Sequence, residues 1–133
     1  LTSHRDLPAD AGEDSISFLP LLKGKKGPTR RVAISQSMNG LFSIRRGPWK
    51  LIYGPGSGGW TNGKSEHPAQ LYHLGRDLEE TNNRYADKPD LVRSMTDRLE
   101  SIILNGRSTP GPPQQNDVRV QWRGLPDELQ STE

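Results

Sequence analysis

Apolar and polar residues alternate through the middle of the chain. Val32 and Ile34, Phe42 and Ile44, and Trp49, Leu51 and Tyr53 each stand between polar neighbours, the period of half-buried strands. Asn39-Gly40 separates the first two runs with residues that accept positive φ, and Gly47-Pro48 makes a tight link to the third. These signals predict a three-stranded antiparallel meander, with Gln70 to Leu74 as a fourth strand. The period then lengthens. From about Lys88 to Asn105, Leu91, Met95, Leu99, Ile102 and Ile103 share one helical face, while Arg93, Asp97, Arg98 and Glu100 fall elsewhere. Asp87 is placed to cap this helix, Asp90 complements the free first-turn amides, and Pro89 is tolerated among them. Gly106 ends the helix by turning left-handed.

A single long amphipathic helix beside a four-stranded antiparallel sheet predicts an α+β, two-layer packing, because each apolar face is buried only against the other. The sheet's second face, with Leu41, Ile52 and Tyr72, is left over. Cover is expected from residues 1–28 or from another domain of a larger parent. Residues 1–28 read as an irregular approach segment: Pro8 and Pro20 interrupt any long helix, Asp14 and Ser15 cap a short turn before Ile16 to Leu22, and Lys23 to Pro28 form a solvated loop. Residues 29–111 form the folded unit. Residues 112–133 read as a flexible tail, in which Val118, Val120 and Trp122 alternate as a possible edge strand. No internal repeat is present.

Composition narrows the partners. About a fifth of the 133 residues are Leu, Ile, Val or Phe, which implies a small core and long irregular segments. The net charge of +2 is scattered, so a pI near 9.1 gives little reason to invoke nucleic acid or a membrane surface. No cysteine is present, which excludes disulfides, thiolate zinc sites and a cysteine nucleophile. Apolar runs of three residues or so are too short for a membrane span or a signal peptide. The chain starts at Leu1-Thr2-Ser3 without an initiator methionine, as a fragment would.

Several strings suggest chemistry. Gly58-Gly59-Trp60-Thr61-Asn62-Gly63-Lys64-Ser65 matches the P-loop pattern, but Pro68 and a following strand leave no room for the helix whose amides would face a phosphate. His4, His67 and His73 lack metal-pair spacing and read as surface or strand-packing residues. Asp77, Glu79 and Glu80 lack the oxygen pattern of an EF-hand and read as a turn paired with Arg76 or Arg84. Ser3, His4 and Asp6 are too close in sequence to build a hydrolase triad. No catalytic residue and no metal ligand is assigned. The loop Gly54 to Gly63, with four glycines around Ser57, reads as flexible and unable to pack for its own sake. Its Trp60 either offers a flat apolar face to a ligand ring or folds back onto the sheet.

Four segments carry a family resemblance. Asp14-Ser15-x-Ser17-x-Leu19-Pro20-x-Leu22-x-Gly24, the Gly40 to Tyr53 run with Ile44-Arg45-Arg46-Gly47-Pro48-Trp49-Lys50-Leu51-Ile52, the Gly56 to Trp60 loop, and Leu71 to Asn83 occur in order. Gly106 to Gly111 with Asn116-Asp117 completes the series. Together they resemble the C-terminal subdomain of sulfatases of the arylsulfatase-like bacterial branch; His73 replaces the Asp or Asn usual there. The resemblance implies a parent sulfuric ester hydrolase that uses calcium and a formylglycine made in a C/S-x-P/A-x-R motif. It also implies a periplasmic or secreted location, an N-terminal catalytic domain as partner, and a sulfated small molecule or glycan as substrate. That motif is absent from this chain, so the fragment is expected to be inactive alone and to complete the fold and rim of the substrate pocket, with Trp60, Ser57 and Lys50 as rim residues. The alternative is a free-standing anion- or glycan-binding module using Arg45, Arg46, Lys50 and Trp60. A purely structural interaction domain is the third reading.

Overall fold

The computed structural model describes residues 8, 10–27, 30–59, 65–118 and 120. Within them, β1 (Val32–Gln36), β2 (Phe42–Arg46), β3 (Trp49–Ile52) and β4 (Gln70–His73) form one antiparallel sheet in chain order, the meander that the alternation predicts. Between β2 and β3 the chain reverses through Gly47-Pro48, and Gly47 takes the positive φ of 58° that so tight a hairpin needs at its first central position. Tyr53 lies one residue past β3, yet its amide still donates to the Phe42 carbonyl at 2.9 Å.

The register sorts the side chains by face. Ile34, Ile44, Leu51 and Leu71 stand opposite one another across all four strands, a continuous apolar row. Over this row lies the long helix α2 (Pro89–Leu104), which buries Val92, Met95, Thr96, Leu99 and Ile102. Leu91 and Ile103 are only half-buried at its flanks, so the centre of the packed face is Val92 rather than Leu91. Thr96 is accepted in the core because its hydroxyl has two partners. It receives the Tyr53 hydroxyl at 3.1 Å and donates to the Val92 carbonyl at 2.9 Å. Burial raises the Tyr53 phenol far above its ordinary pKa, so it stays a neutral donor.

Two local expectations are corrected. Asp87 does not cap α2: the N-cap is Lys88 with no side-chain bond, and the Asp87 carboxylate instead meets Arg84 Nε at 2.6 Å. Asp14 and Ser15 do not cap the first helix, which is a single turn, α1 (Leu19–Leu22). Asp14 accepts from the Ser108 amide at 2.8 Å, and the Thr109 amide donates to the Glu13 carbonyl at 3.2 Å. The approach segment therefore docks beyond the C-terminus of α2, where Gly106 turns left-handed at φ 60°, and these contacts do not reach the sheet's second face. Of the possible edge strand, Val118 is 74% exposed, and Arg119, Gln121, Trp122 and Arg123 lie outside the described residues. No helix among the described residues is long and apolar enough to cross a membrane.

Candidate functional site

The second face of the sheet is the floor of an open trough of about 770 Å³. Its two cross-strand rows are Ala33, Arg45, Lys50 and Tyr72, and Ser35, Ser43, Ile52 and Gln70. Mostly polar side chains thus line a face whose opposite side is apolar, the period of two expressed across four strands. Ser35 and Ser43 share a hydrogen bond at 2.8 Å. The Tyr72 hydroxyl donates to Gln70 Oε1 at 2.8 Å, and Gln70 Nε2 donates to the carbonyls of Gly54 at 2.6 Å and Gly56 at 3.1 Å. Tyr72 thereby orients Gln70, and Gln70 ties the glycine loop to the sheet. Burial, then the nearby carboxylates of Glu80 and Asp77, raise the Tyr72 pKa, so this hydroxyl also remains a donor.

Residues 54–59 of the glycine loop are held against the sheet and the 37–41 turn, contrary to the compositional reading as flexible. Gly54 and Gly58 are buried, and a Cβ on either would come within 2.6 or 2.7 Å of Leu41 Cδ1. The Asn39 amide also donates to the Gly58 carbonyl at 3.2 Å. Glycine is needed here for close approach of one loop to another. Only a three-dimensional contact reveals that need.

The far wall is the 77–83 segment. Asp77 organises it: Oδ1 accepts from the Thr81 amide and hydroxyl at 3.0 Å each, and Oδ2 from the Asn82 amide at 2.9 Å. The Thr81 and Asn82 amides lower the Asp77 pKa. Within this turn Glu80 is forced to φ 57°, which aims its carboxylate at Lys50 Nζ, 2.6 Å away. Asn83 closes the segment by accepting from the Leu71 and Tyr85 amides at 3.0 Å each. The acidic cluster thus serves a turn, as its sequence suggests, but pairs with Lys50 rather than Arg76 or Arg84.

Of the predicted rim residues, Lys50 and Ser57 line this one trough, and Trp60 lies outside the described residues. Residues 61–64 of the P-loop string lie outside them too, and 65–69 are irregular up to β4 rather than helical. His67 stacks on Tyr85 at 5.6 Å, and His73 meets Trp49 edge-on at 4.7 Å. Among the described residues the lining carries one ammonium, Lys50, against the carboxylates of Glu66, Glu79 and Glu80. With Lys50 already paired, these described side chains disfavour an anion and suit hydroxyls and amides. Arg45 and Arg46 sit at adjacent positions of β2 and so face opposite sides of the sheet. Arg45, Arg46 and Lys50 of the anion-binding alternative therefore do not share one face, and Trp60 lies outside the described residues. Sequence reasoning missed Gln70, Tyr72 and Glu80 as lining residues that work together; only their alternation and the 77–83 motif signalled them. Among the described residues, no three His, Asp or Glu side chains are placed to hold a metal ion.

Fold and site define an α+β sheet-and-helix unit with one apolar face closed and one polar face open. No family model matches the chain. It is 37% identical over 102 residues to an N-acetylgalactosamine-6-O-sulfatase of Bacteroides thetaiotaomicron, a match that covers 72% of this chain and 20% of that protein. A solved sulfatase structure, described in work on the metabolism of multiple glycosaminoglycans by the same organism, superposes with a TM-score of 0.60 at 32% identity. That match covers 73% of this chain and 21% of the other. Both matches fit a C-terminal sulfatase fragment, and the chain spans about a fifth of the length of the relatives it matches.

Proposed function

We propose that this chain is the C-terminal subdomain of an arylsulfatase-like sulfuric ester hydrolase, and that the open trough faces the parent's catalytic domain at the rim of its substrate pocket. The observation that carries the reading is the 37% identity to an N-acetylgalactosamine-6-O-sulfatase. The trough supports it physically. A polar face of hydroxyls and amides around Gln70 and Tyr72 suits the uncharged hydroxyls of a sugar, or a second polar protein surface, rather than the sulfate itself. Ser57 on the glycine loop is the exposed donor nearest that role, with Trp60 three residues on and Lys50 on the floor.

Calcium and formylglycine do not fit the residues present. No carboxylate set converges among the described residues, and no Cys or Ser stands in a C/S-x-P/A-x-R motif. The catalytic domain is assigned both groups, so this chain's own part is positional: Gln70 and Tyr72 fix the loop that carries Ser57, and Glu80 holds Lys50 in place.

Two measurements test this. The chain by itself should not turn over an aryl sulfate, and turnover above a buffer control would overturn the assignment of catalysis elsewhere. In a parent enzyme containing the chain, Ser57→Ala and Trp60→Ala should raise KM for a sulfated N-acetylgalactosamine substrate more than they lower kcat. An unchanged KM in both variants would remove the rim role.

A further inference from the structure

A second concave surface lies on the helix side of the sheet, away from the trough. Its volume is about 540 Å³, and Arg31, Arg46 and Arg98 line it together with Ser94, Asp97 and Ser101. The fold explains the convergence. Arg46 ends β2 on the core-facing side, at the sheet's margin, and Arg31 immediately precedes β1, whose Val32 is paired with Arg46. On α2, positions 94, 97, 98 and 101 make one stripe of successive turns, so Ser94 and Arg98 lie one above the other. Arg46 Nη1 donates to Ser94 Oγ at 2.9 Å, which stretches this guanidinium from the sheet to the helix and leaves its other N–H donors available.

The charge in this groove is compensated only in part. The ion pairs among the described residues are Lys50–Glu80 and Arg84–Asp87, and neither involves these three arginines. Asp97 is the one carboxylate in the lining among the described residues. Three guanidiniums against one carboxylate leave a local excess of two positive charges, on a chain whose total is also +2. Arginine forks match the oxygens of an oxyanion, and an exposed groove gains little from one such contact but more from several spaced along one ligand. A nucleic acid is the poorer match, because the groove lining has no aromatic side chain on which a base could stack.

We infer that the groove of Arg31, Arg46 and Arg98 is an accessory site for a sulfated polysaccharide, holding its sulfate esters on the face opposite the trough. The choice of sulfated sugar rests on the sulfatase reading above; the anion site itself does not. The site would retain a polymer near the protein between encounters with the pocket, and it performs no chemistry.

The test is direct binding by the full 133-residue chain, with no turnover involved, so its outcome is separate from that of the rim variants. The probes are a chondroitin sulfate octasaccharide, its desulfated counterpart and a single-stranded oligonucleotide of similar charge. Sulfated ligand should bind, weaken as salt rises, and lose at least tenfold in affinity in the Arg31→Gln/Arg98→Gln variant, which spares the Arg46–Ser94 bond. Arg93→Gln, on the same helix outside the groove, should bind as the parent chain does. Arg98→Lys keeps the charge and should retain more affinity than Arg98→Gln, a comparison that also guards against misfolding of the double variant. Equal binding of desulfated ligand, tighter binding of the oligonucleotide, or unchanged affinity in the double variant would each overturn the proposal.

Discussion

Lys50 and Glu80 meet at 2.6 Å across thirty residues of sequence, and Glu80 reaches the contact only by adopting φ 57°. Each side chain keeps 29% of its exposure, so solvent screens the pair and its contribution is about 0.5 to 1 kcal/mol. The left-handed backbone costs about 1 kcal/mol for any residue with a Cβ. Glu80→Ala should therefore lose the pair and keep the strain, whereas Glu80→Gly loses both. In chemical denaturation Glu80→Gly should be the more stable of the two by about 1 kcal/mol. The reverse order would mean that the left-handed backbone carries no such strain at this position.

Leu99 is fully buried between α2 and the Ile34, Ile44, Leu51 and Leu71 row. Truncation to Ala removes that packing and leaves a cavity that the small sheet closes only in part, at about 2 to 5 kcal/mol. Much of the stability of a domain this size is of that order. A large fall in the denaturation midpoint of Leu99→Ala is expected, and a negligible one would displace α2 from its assigned face.

How much of this was legible in the sequence depends on whether the controlling contact is periodic or distant. The row from Ile34 to Leu71 and the buried face of α2 follow from periods of two and 3.6, and both were readable. Thr96 was not, because a polar residue interrupts an apolar pattern and its partner, the Tyr53 hydroxyl, arrives from 43 residues away. Asp87 had the right type and place for a cap, but Arg84 competes for its carboxylate at close range. Lys50 was grouped with Arg45 and Arg46, yet the alternation of the strand already separates those two arginines; what the sequence did not show is Glu80, which reaches Lys50 from thirty residues away. Composition alone also misread the glycine loop, since flexibility and close packing both call for glycine.

Gly58 provides a sharp check on that last point. Its φ is 68°, and an added Cβ would lie 2.3 Å from Ser37 Oγ and 2.7 Å from Leu41 Cδ1. Strain and overpacking act together, so Gly58→Ala should cost about 2 to 3 kcal/mol. At Gly59 an added Cβ would meet Ser57 Oγ only at 3.9 Å, so Gly59→Ala should cost far less. Thermal or urea unfolding of the two variants measures the difference. Equal costs would restore the reading of this loop as a loose tether.

Asp77 governs the acid limit of the far wall. The Thr81 amide first, then the Asn82 amide, hold its carboxylate below the ordinary Asp value of 3.8, because both bonds require the charged form. The sign follows from linkage: a folded pKa lower than the unfolded one stabilises the folded state above the ordinary value, and that stabilisation is lost as pH falls through the depressed folded value. The 77–83 turn should therefore keep its structure at neutral pH and loosen only in strong acid. Hydrogen exchange of the Thr81 and Asn82 amides, followed as pH is lowered and corrected for intrinsic rates, reads this directly. Asp77→Asn should lower their protection at neutral pH and flatten its dependence on acid. Undiminished protection in that variant would show that the turn is held by its packing against β4 and Asn83 rather than by the carboxylate.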